Sequence, residues 1–297
     1  MTAGSADANG ARAAGREAGA DTVEALVRAS ELPDSDARSL LAYVLGADRA
    51  WLIAHHADVV DRARATSFAA LCTRRRAGEP VAYLTGHREF HGLDFRVSDA
   101  VLIPRPETEL LVDLALERLP LESAARVLDL GTGSGCVALA IAVNRKQAKI
   151  TASDASAAAL DIARENGAAL GREVTWILSD WYDALGGARF ELIVANPPYV
   201  ERNDPHLALG DLRFEPRMAL TPALTDGQQE GSGLAAIDPI IAGARAHLAA
   251  GGWLLIEHGY DQAEACRERL QHAAYCSVQS WRDLAGIERV SGGKTPA

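Results

Sequence analysis

The run Phe190-Glu191-Leu192-Ile193-Val194-Ala195 stops abruptly at Asn196-Pro197-Pro198-Tyr199, and that junction limits what the chain can become. Consecutive apolar side chains suit a strand buried on both faces, as in a parallel sheet covered by helices. The two prolines end it, because neither can donate to a ladder and each fixes its own φ. An amide and a phenol are thereby held at the carboxyl end of a central strand, where open α/β sheets bind their ligands. Taken alone, Asn-Pro-Pro is a strand-terminating turn, so the neighbouring segments decide whether it is more.

Those segments repeat the pattern. Arg126-Val127-Leu128-Asp129-Leu130 reads as a strand that runs into Gly131-Thr132-Gly133-Ser134-Gly135, with a helix over 136–143. A strand over 149–154, a helix over 157–170 and a strand over 174–180 precede the opening run. A helix over about 234–249, a strand at 252–257, a helix at 264–272 and closing strands at 276–281 and 287–290 follow it. This order predicts an α/β fold, a Rossmann-like, mostly parallel, seven-stranded sheet.

The first part of the chain differs. Residues 1–20 are rich in Ala and Gly and lack the apolar core of a secretory signal, so they read as a disordered lead-in. Residues 21–78 carry helical periodicity, with Leu26 and Val27, then Leu40, Leu41, Val44 and Leu45. Asp34-Ser35-Asp36 supplies N-cap candidates there and Gly46 a C-cap. No catalytic set is visible, so a small recognition domain is expected. Residues 79–103, with Gly86, Gly92 and the alternating Leu93-Asp94-Phe95-Arg96-Val97, predict a β-hairpin linker, and 104–297 the catalytic domain. Pro104-Arg105-Pro106-Glu107-Thr108-Glu109 opens a helix, since a proline and acids both suit a first turn.

Composition narrows the function classes. A net charge of −10 disfavours a partner held by many phosphate contacts, and Arg74-Arg75-Arg76 at a helix end suits solvation and the helix dipole. No direct nucleic-acid contact is expected. No stretch approaches the ~20 apolar residues of a membrane span. The four cysteines, Cys72, Cys136, Cys266 and Cys276, form no C-x-x-C pair, so reduced thiols and a cytoplasmic location are expected, with no metal. His87 and His91 stand four apart, but beside Phe90 and Gly92 their context is not helical.

The chemistry follows from the strand ends. Glycines let a backbone approach a ligand, and the helix after them offers N–H groups to an anionic group. Asp129, Asp154 and Asp180 fall at or near the ends of successive strands and face one crevice. An acid about 20 residues past the glycines is placed to hold ribose hydroxyls, which fits Asp154. Asp180 and Trp181 suit the edge and face of an adenine. So acidic a crevice repels a pyrophosphate and suits a positive sulfonium, which favours S-adenosyl-L-methionine over a dinucleotide. Asn196-Pro197-Pro198-Tyr199 then suits methyl transfer to a planar NH2 group. The Asn196 side-chain carbonyl and the Pro197 backbone carbonyl accept its two hydrogens while Tyr199 stacks on it. An adenine amino group and a glutamine amide both remain open at this point.

Further segments carry a resemblance: Gly78-Glu79-Pro80, Tyr83-Leu84-Thr85-Gly86, Glu89-Phe90, the Pro104 to Glu109 segment, the 129–135 loop, Asp180-Trp181 and Asn196 to Tyr199. Asp204-Pro205-His206, Phe214-Glu215-Pro216 and Glu257-His258-Gly259 join them. Over about 21–290 the chain resembles the release-factor glutamine methyltransferases of the HemK or PrmC type. The resemblance implies a class I methyltransferase sheet and methylation of the glutamine side-chain nitrogen in the Gly-Gly-Gln motif of peptide-chain release factors. It implies that Gly131, Thr132, Gly133, Ser134, Gly135, Asp154, Asp180, Trp181 and Asn196 bind the cofactor. It implies that Asn196, Pro197, Pro198 and Tyr199 bind the glutamine, with Asn196, Pro197 and Tyr199 catalytic. A monomer is expected. A glutamine of a ribosomal protein, methylated by the same turn, is the alternative substrate, and an amino-methylating nucleic-acid enzyme is a more distant one. Two departures stand out: residues 225–234 are longer than the family's usual Asp-Gly-Leu-like turn, and the tail after Val290 is Gly-rich with no recognisable site.

Overall fold

The computed structural model describes residues 21–222 and 233–297, so the expected lead-in and most of the 225–234 turn lie outside the described residues. The chain divides into two compact units, one ending at Ala77 and one beginning at Gly78.

The first unit holds α1 (Val23–Ala29), α2 (Asp34–Leu45), α3 (Arg49–Ala54) and α4 (Arg62–Arg76). Side chains of Thr22, Asp48 and Asp61 cap α1, α3 and α4 by accepting N–H groups of the first turn. The expected caps at Asp34 to Asp36 are not used. Pro33, which has no side-chain acceptor, holds the N-cap position of α2, and the two acids fall inside the first turn and pair with arginines, Asp34 with Arg38 and Asp36 with Arg75, each at 2.8 Å. Gly46 closes α2 in the left-handed region, as its lack of a Cβ allows. Leu40, Leu41, Leu52 and Phe68 fill the interior. Arg76 donates to the Ser30 carbonyl at 2.7 Å, so the arginine cluster serves this unit's own packing.

In the second unit, the segment expected as a hairpin linker opens instead with a short helix, α5 (Val81–Thr85), before β1 (His87–Phe90) and β2 (Leu93–Arg96). Pro80 starts that helix and Gly86, in the left-handed region, ends it. The hairpin is part of this unit's core rather than a free connector: Phe90 and Phe95 pack edge to face and are buried with α6 (Glu109–Arg118) and α7 (Cys136–Asn144). His87 faces Asp94 and His91 faces Asp113, so their four-residue spacing serves two separate pairs.

The main sheet has β3 (Arg126–Leu130), β4 (Lys149–Asp154), β5 (Thr175–Leu178), β6 (Phe190–Ala195), β7 (Leu248–Glu257), β8 (Cys276–Arg282) and β9 (Glu288–Lys294). Their spatial order is β5-β4-β3-β6-β7-β9-β8, parallel except where β9 meets β7 and β8. This is the seven-stranded, mostly parallel sheet expected. The remaining helices are α8 (Ala157–Ala169), α9 (Arg217–Leu220), α10 (Ile237–His247) and α11 (Ala263–His272). Strand side chains alternate between faces. Val127, Leu192, Val194 and Leu255 join α6 and α7, while Leu128, Ile193, Leu254 and Ile256 join α10 and α11. Burying each such residue contributes roughly 1.5–3 kcal/mol.

The Gly-rich tail, in which the sequence shows no recognisable site, extends the last strand beyond the expected Val290 to Lys294. Glycine is what fits there: a Cβ on Gly292 would lie 2.5 Å from the Leu254 carbonyl oxygen and 2.7 Å from Leu255 Cδ2. Gly292→Ala is therefore expected to destabilise the protein by about 1–3 kcal/mol, read as a lower denaturation midpoint. An unchanged midpoint would mean that β9 yields where the packing says it cannot.

Among the described residues no helix is long and apolar enough to cross a membrane. All four cysteines are free.

Candidate active site

The sheet reverses its direction of growth between β3 and β6. From β3 the chain winds outward through β4 to β5, then returns to pair β6 on the other side of β3. The loops that leave β3 and β6 therefore part company and open a crevice at the carboxyl edge. A cavity of about 530 Å³ lies there, lined by Gly131, Thr132, Gly133, Ser134, Asp154, Asp180, Trp181, Asn196 and Pro198 among others. Of the residues expected at the site, Gly135 and Pro197 do not line it, and Tyr199 lines a second cavity.

The glycine loop is held from beneath by carboxylates. Asp129, 2% exposed, accepts from the Thr132 hydroxyl at 2.6 Å and from the Ala138 N–H at 3.2 Å. It thus pins the loop to the start of α7. Asp154 accepts from the Gly133 N–H and the Ser156 N–H, each at 2.8 Å, which ties the loop to the end of β4. Burial raises the carboxyl of Asp154 above its ordinary value and pushes that of Asp129 up to about 7. Gly133 has a φ of +55°, and a Cβ there would project into open space beside the cavity. Gly135 serves packing instead: a Cβ would come within 3.1–3.2 Å of Trp176, Ala163 and Leu139. Asn166, 1% exposed and unremarked in the sequence, donates to the Ser134 and Arg96 carbonyls and accepts from the Arg96 N–H, which fastens the hairpin to the loop.

Across the crevice, Trp181 sits in the left-handed region at φ +41°, and its ring lies 3.7 Å from where a Gly131 Cβ would stand. Asp180 beside it is exposed. A glycine backbone open to close approach, a carboxylate at a strand end and an indole can together hold a nucleoside-like ligand.

The Asn196 turn is built on Thr108 and Glu257, which the sequence reading placed in resembling segments without giving either a role at the site. Val194 is level with Leu255 and Ala195 with Ile256 across the β6–β7 ladder, so the next pair along is Asn196 and Glu257, on the face that α6 covers. Thr108 precedes α6 on that same face. Asn196 Nδ2 donates to Thr108 Oγ1 at 3.1 Å, and the Tyr199 hydroxyl donates to Glu257 Oε1 at 3.2 Å. Glu257 is 1% exposed, and burial pushes its carboxyl up to about 7 despite the opposing pull of Thr108 and Tyr199. Arg105 is anchored in turn by Glu215, whose buried carboxylate also accepts from the Ile103 N–H. Period-two counting from Leu255 would have placed Glu257 here; Thr108 carries no such signal.

The second cavity, about 570 Å³, borders the other side of the turn and is lined by Tyr199, Glu107, His206, Glu257 and Arg289, with Arg105 common to both cavities.

The two carboxyls near 7 carry a sign for stability. Each binds a proton in the folded chain at pH values where the unfolded chain has released it, so stability falls as pH rises from about 4 through 7. Denaturant titrations across that window are expected to show a loss of roughly 3–4 kcal/mol for each of the two groups, reduced in Asp129→Asn. A flat or rising profile would contradict the burial assigned to these groups.

Residues 108–214 match the methyltransferase small domain and residues 17–86 the PrmC N-terminal domain. A release factor glutamine methyltransferase of Burkholderia pseudomallei is 51% identical over 282 residues, covering 93% of this chain and 96% of that protein. One of Bordetella pertussis is 52% identical over 263 residues, covering 88% and 95%. Among solved structures, a methyltransferase from Pyrococcus furiosus superposes with a TM-score of 0.52 at 18% identity, covering 76% of this chain and 98% of that one, a likeness of fold alone.

Proposed function

The chain belongs to the release factor glutamine methyltransferase family, and from that premise we propose how its site acts. It methylates the side-chain amide nitrogen of the glutamine in the Gly-Gly-Gln motif of peptide-chain release factors. The cofactor is S-adenosyl-L-methionine, which when bound supplies a methyl group on a positive sulfonium. The residues of the first cavity fit it: Asp154 for ribose hydroxyls, Trp181 with Asp180 for the base, Gly131 to Ser134 for close backbone approach. The glutamine reaches the turn from the second cavity.

The chemical difficulty is the amide lone pair, which is delocalised and a weak nucleophile. Asn196 Oδ1 and the Pro197 carbonyl accept the two N–H hydrogens, turn the nitrogen into line and stabilise the charge that grows on it. The Tyr199 ring, steadied by the bond from its hydroxyl to Glu257, flanks the planar amide. No strong base is required, since the proton leaves after the methyl has arrived. The observation that carries this reading is the position of the turn, with Asn196 and Pro198 on one cavity and Tyr199 on the other.

The names borne by the curated relatives favour a release factor over a ribosomal protein as substrate. A monomer acting in the cytoplasm without direct nucleic-acid contact belongs to the same reading, and Arg75 and Arg76 of the arginine cluster are engaged within their own unit. Incubation with labelled S-adenosyl-L-methionine should label a release factor, and replacing the glutamine of its Gly-Gly-Gln motif should abolish the label. Label that persists on the altered factor would refute the assignment.

A further inference from the structure

We propose that Thr108 and Glu257 are positioning residues that fix which way round the Asn196 side-chain amide stands. The inference rests on the reading that Asn196 holds the substrate amide. A carboxamide can present either its oxygen or its NH2 to a ligand, and only the oxygen can accept the substrate N–H. The structure turns the NH2 inward, where it donates to Thr108 Oγ1 at 3.1 Å. A hydroxyl that accepts on this side has its own proton to place. Glu257 is the carboxylate at hand, its charge felt together with Thr108, and its buried Oε2 has no hydrogen-bond partner, so that oxygen is the acceptor open to the Thr108 proton. Its Oε1 accepts a hydrogen bond from the Tyr199 hydroxyl. In this proposal an ionised Glu257 accepts from Tyr199 at Oε1 and draws the Thr108 proton toward Oε2, which leaves Thr108 an acceptor toward Asn196. One carboxylate orients both functional side chains of the turn.

The arrangement follows from the sheet. Glu257 is level with Asn196 on the next strand and on the same face, and Thr108 lies at the start of the helix that covers that face. Around Glu257 stand Tyr199 from the turn, Glu107 and Thr108 from the start of α6, and Arg289 from β9. Arg105, His206 and Asp211 border the same cavity. Burial foremost, with Glu107 adding to it, keeps the carboxyl near 7 against the pull of Thr108, Tyr199 and Arg289. Below that pH a protonated Glu257 can donate as well as accept, and the direction of the chain is no longer imposed.

Three variants test this, each read for kcat, for cofactor affinity and for hydrogen exchange at the Asn196 side-chain amide by NMR. Thr108→Val should lower kcat by about 10²-fold, the scale of a misplaced reacting group, with cofactor affinity little changed. Thr108→Ser, which keeps the hydroxyl, should restore most of it. Glu257→Gln should lower kcat and remove an acid limb near pH 7 that the wild type shows. Exchange at Asn196 should be slow in the wild type and Thr108→Ser and fast in Thr108→Val. Wild-type kcat in Thr108→Val, or unchanged exchange there, would overturn the proposal. The exchange readout needs no substrate, so a wild type that labels no release factor sinks the parent reading while Asn196 still decides this one.

Discussion

Asn196→Ala is expected to lower kcat for glutamine methylation by about 10²–10³-fold, the scale seen when one preorganised polar partner of a transition state is removed. The loss belongs in kcat because Asn196 Oδ1 strengthens its bond as positive charge grows on the attacking nitrogen, and ground-state binding is shared with the Pro197 carbonyl and Tyr199. Cofactor affinity should largely survive, since Asn196 is one of many residues that line the first cavity. Steady-state kinetics with a release factor and an equilibrium titration of S-adenosyl-L-methionine separate the two. Near-normal kcat would remove Asn196 from the mechanism.

The second large effect is expected at Asp154. Its carboxylate accepts the Gly133 and Ser156 N–H groups inside the protein and is the candidate for the ribose hydroxyls outside it. Alanine removes the charged acceptor from all of these at once. Hydrogen bonds to a charged group contribute about 1.5–3 kcal/mol each, so the cofactor dissociation constant should rise by about 10²-fold. Asparagine keeps one acceptor and should fall between alanine and the wild type. An unchanged titration in Asp154→Ala would refute the ribose role. Here the effect belongs to binding rather than to kcat, which sets it apart from Asn196.

Much of this geometry was legible in the residues because the sheet is regular. Strand ends marked by Asp129, Asp154 and Asn196 gave the crevice, since a buried parallel strand announces itself as an apolar run and its end as the first polar side chain. The limits of that logic are equally specific. Asp129 lines the cavity as a strand-end acid should, but it is nearly buried and also organises the loop from below, a second role that a strand-end position does not reveal. Gly135 packs against Trp176, Ala163 and Leu139, a tertiary contact that no local pattern records. Thr108 and Asn166 act through partners at separations of 88 and 70 residues in sequence, and only the folded chain joins them. The Gly292 region read as tail because strand propensity disfavours glycine, whereas the space between β7 and β8 leaves no room for anything larger.

The account as a whole stands on one bond, between a methyl group and the side-chain nitrogen of a particular glutamine. Peptide mapping by mass spectrometry of a release factor after reaction with the protein and S-adenosyl-L-methionine tests it most directly. The expected result is one added methyl on the peptide that carries Gly-Gly-Gln, with fragment ions placing it on the glutamine, and no such product from Asn196→Ala. A methyl group on any other residue, or none on that glutamine, would contradict it.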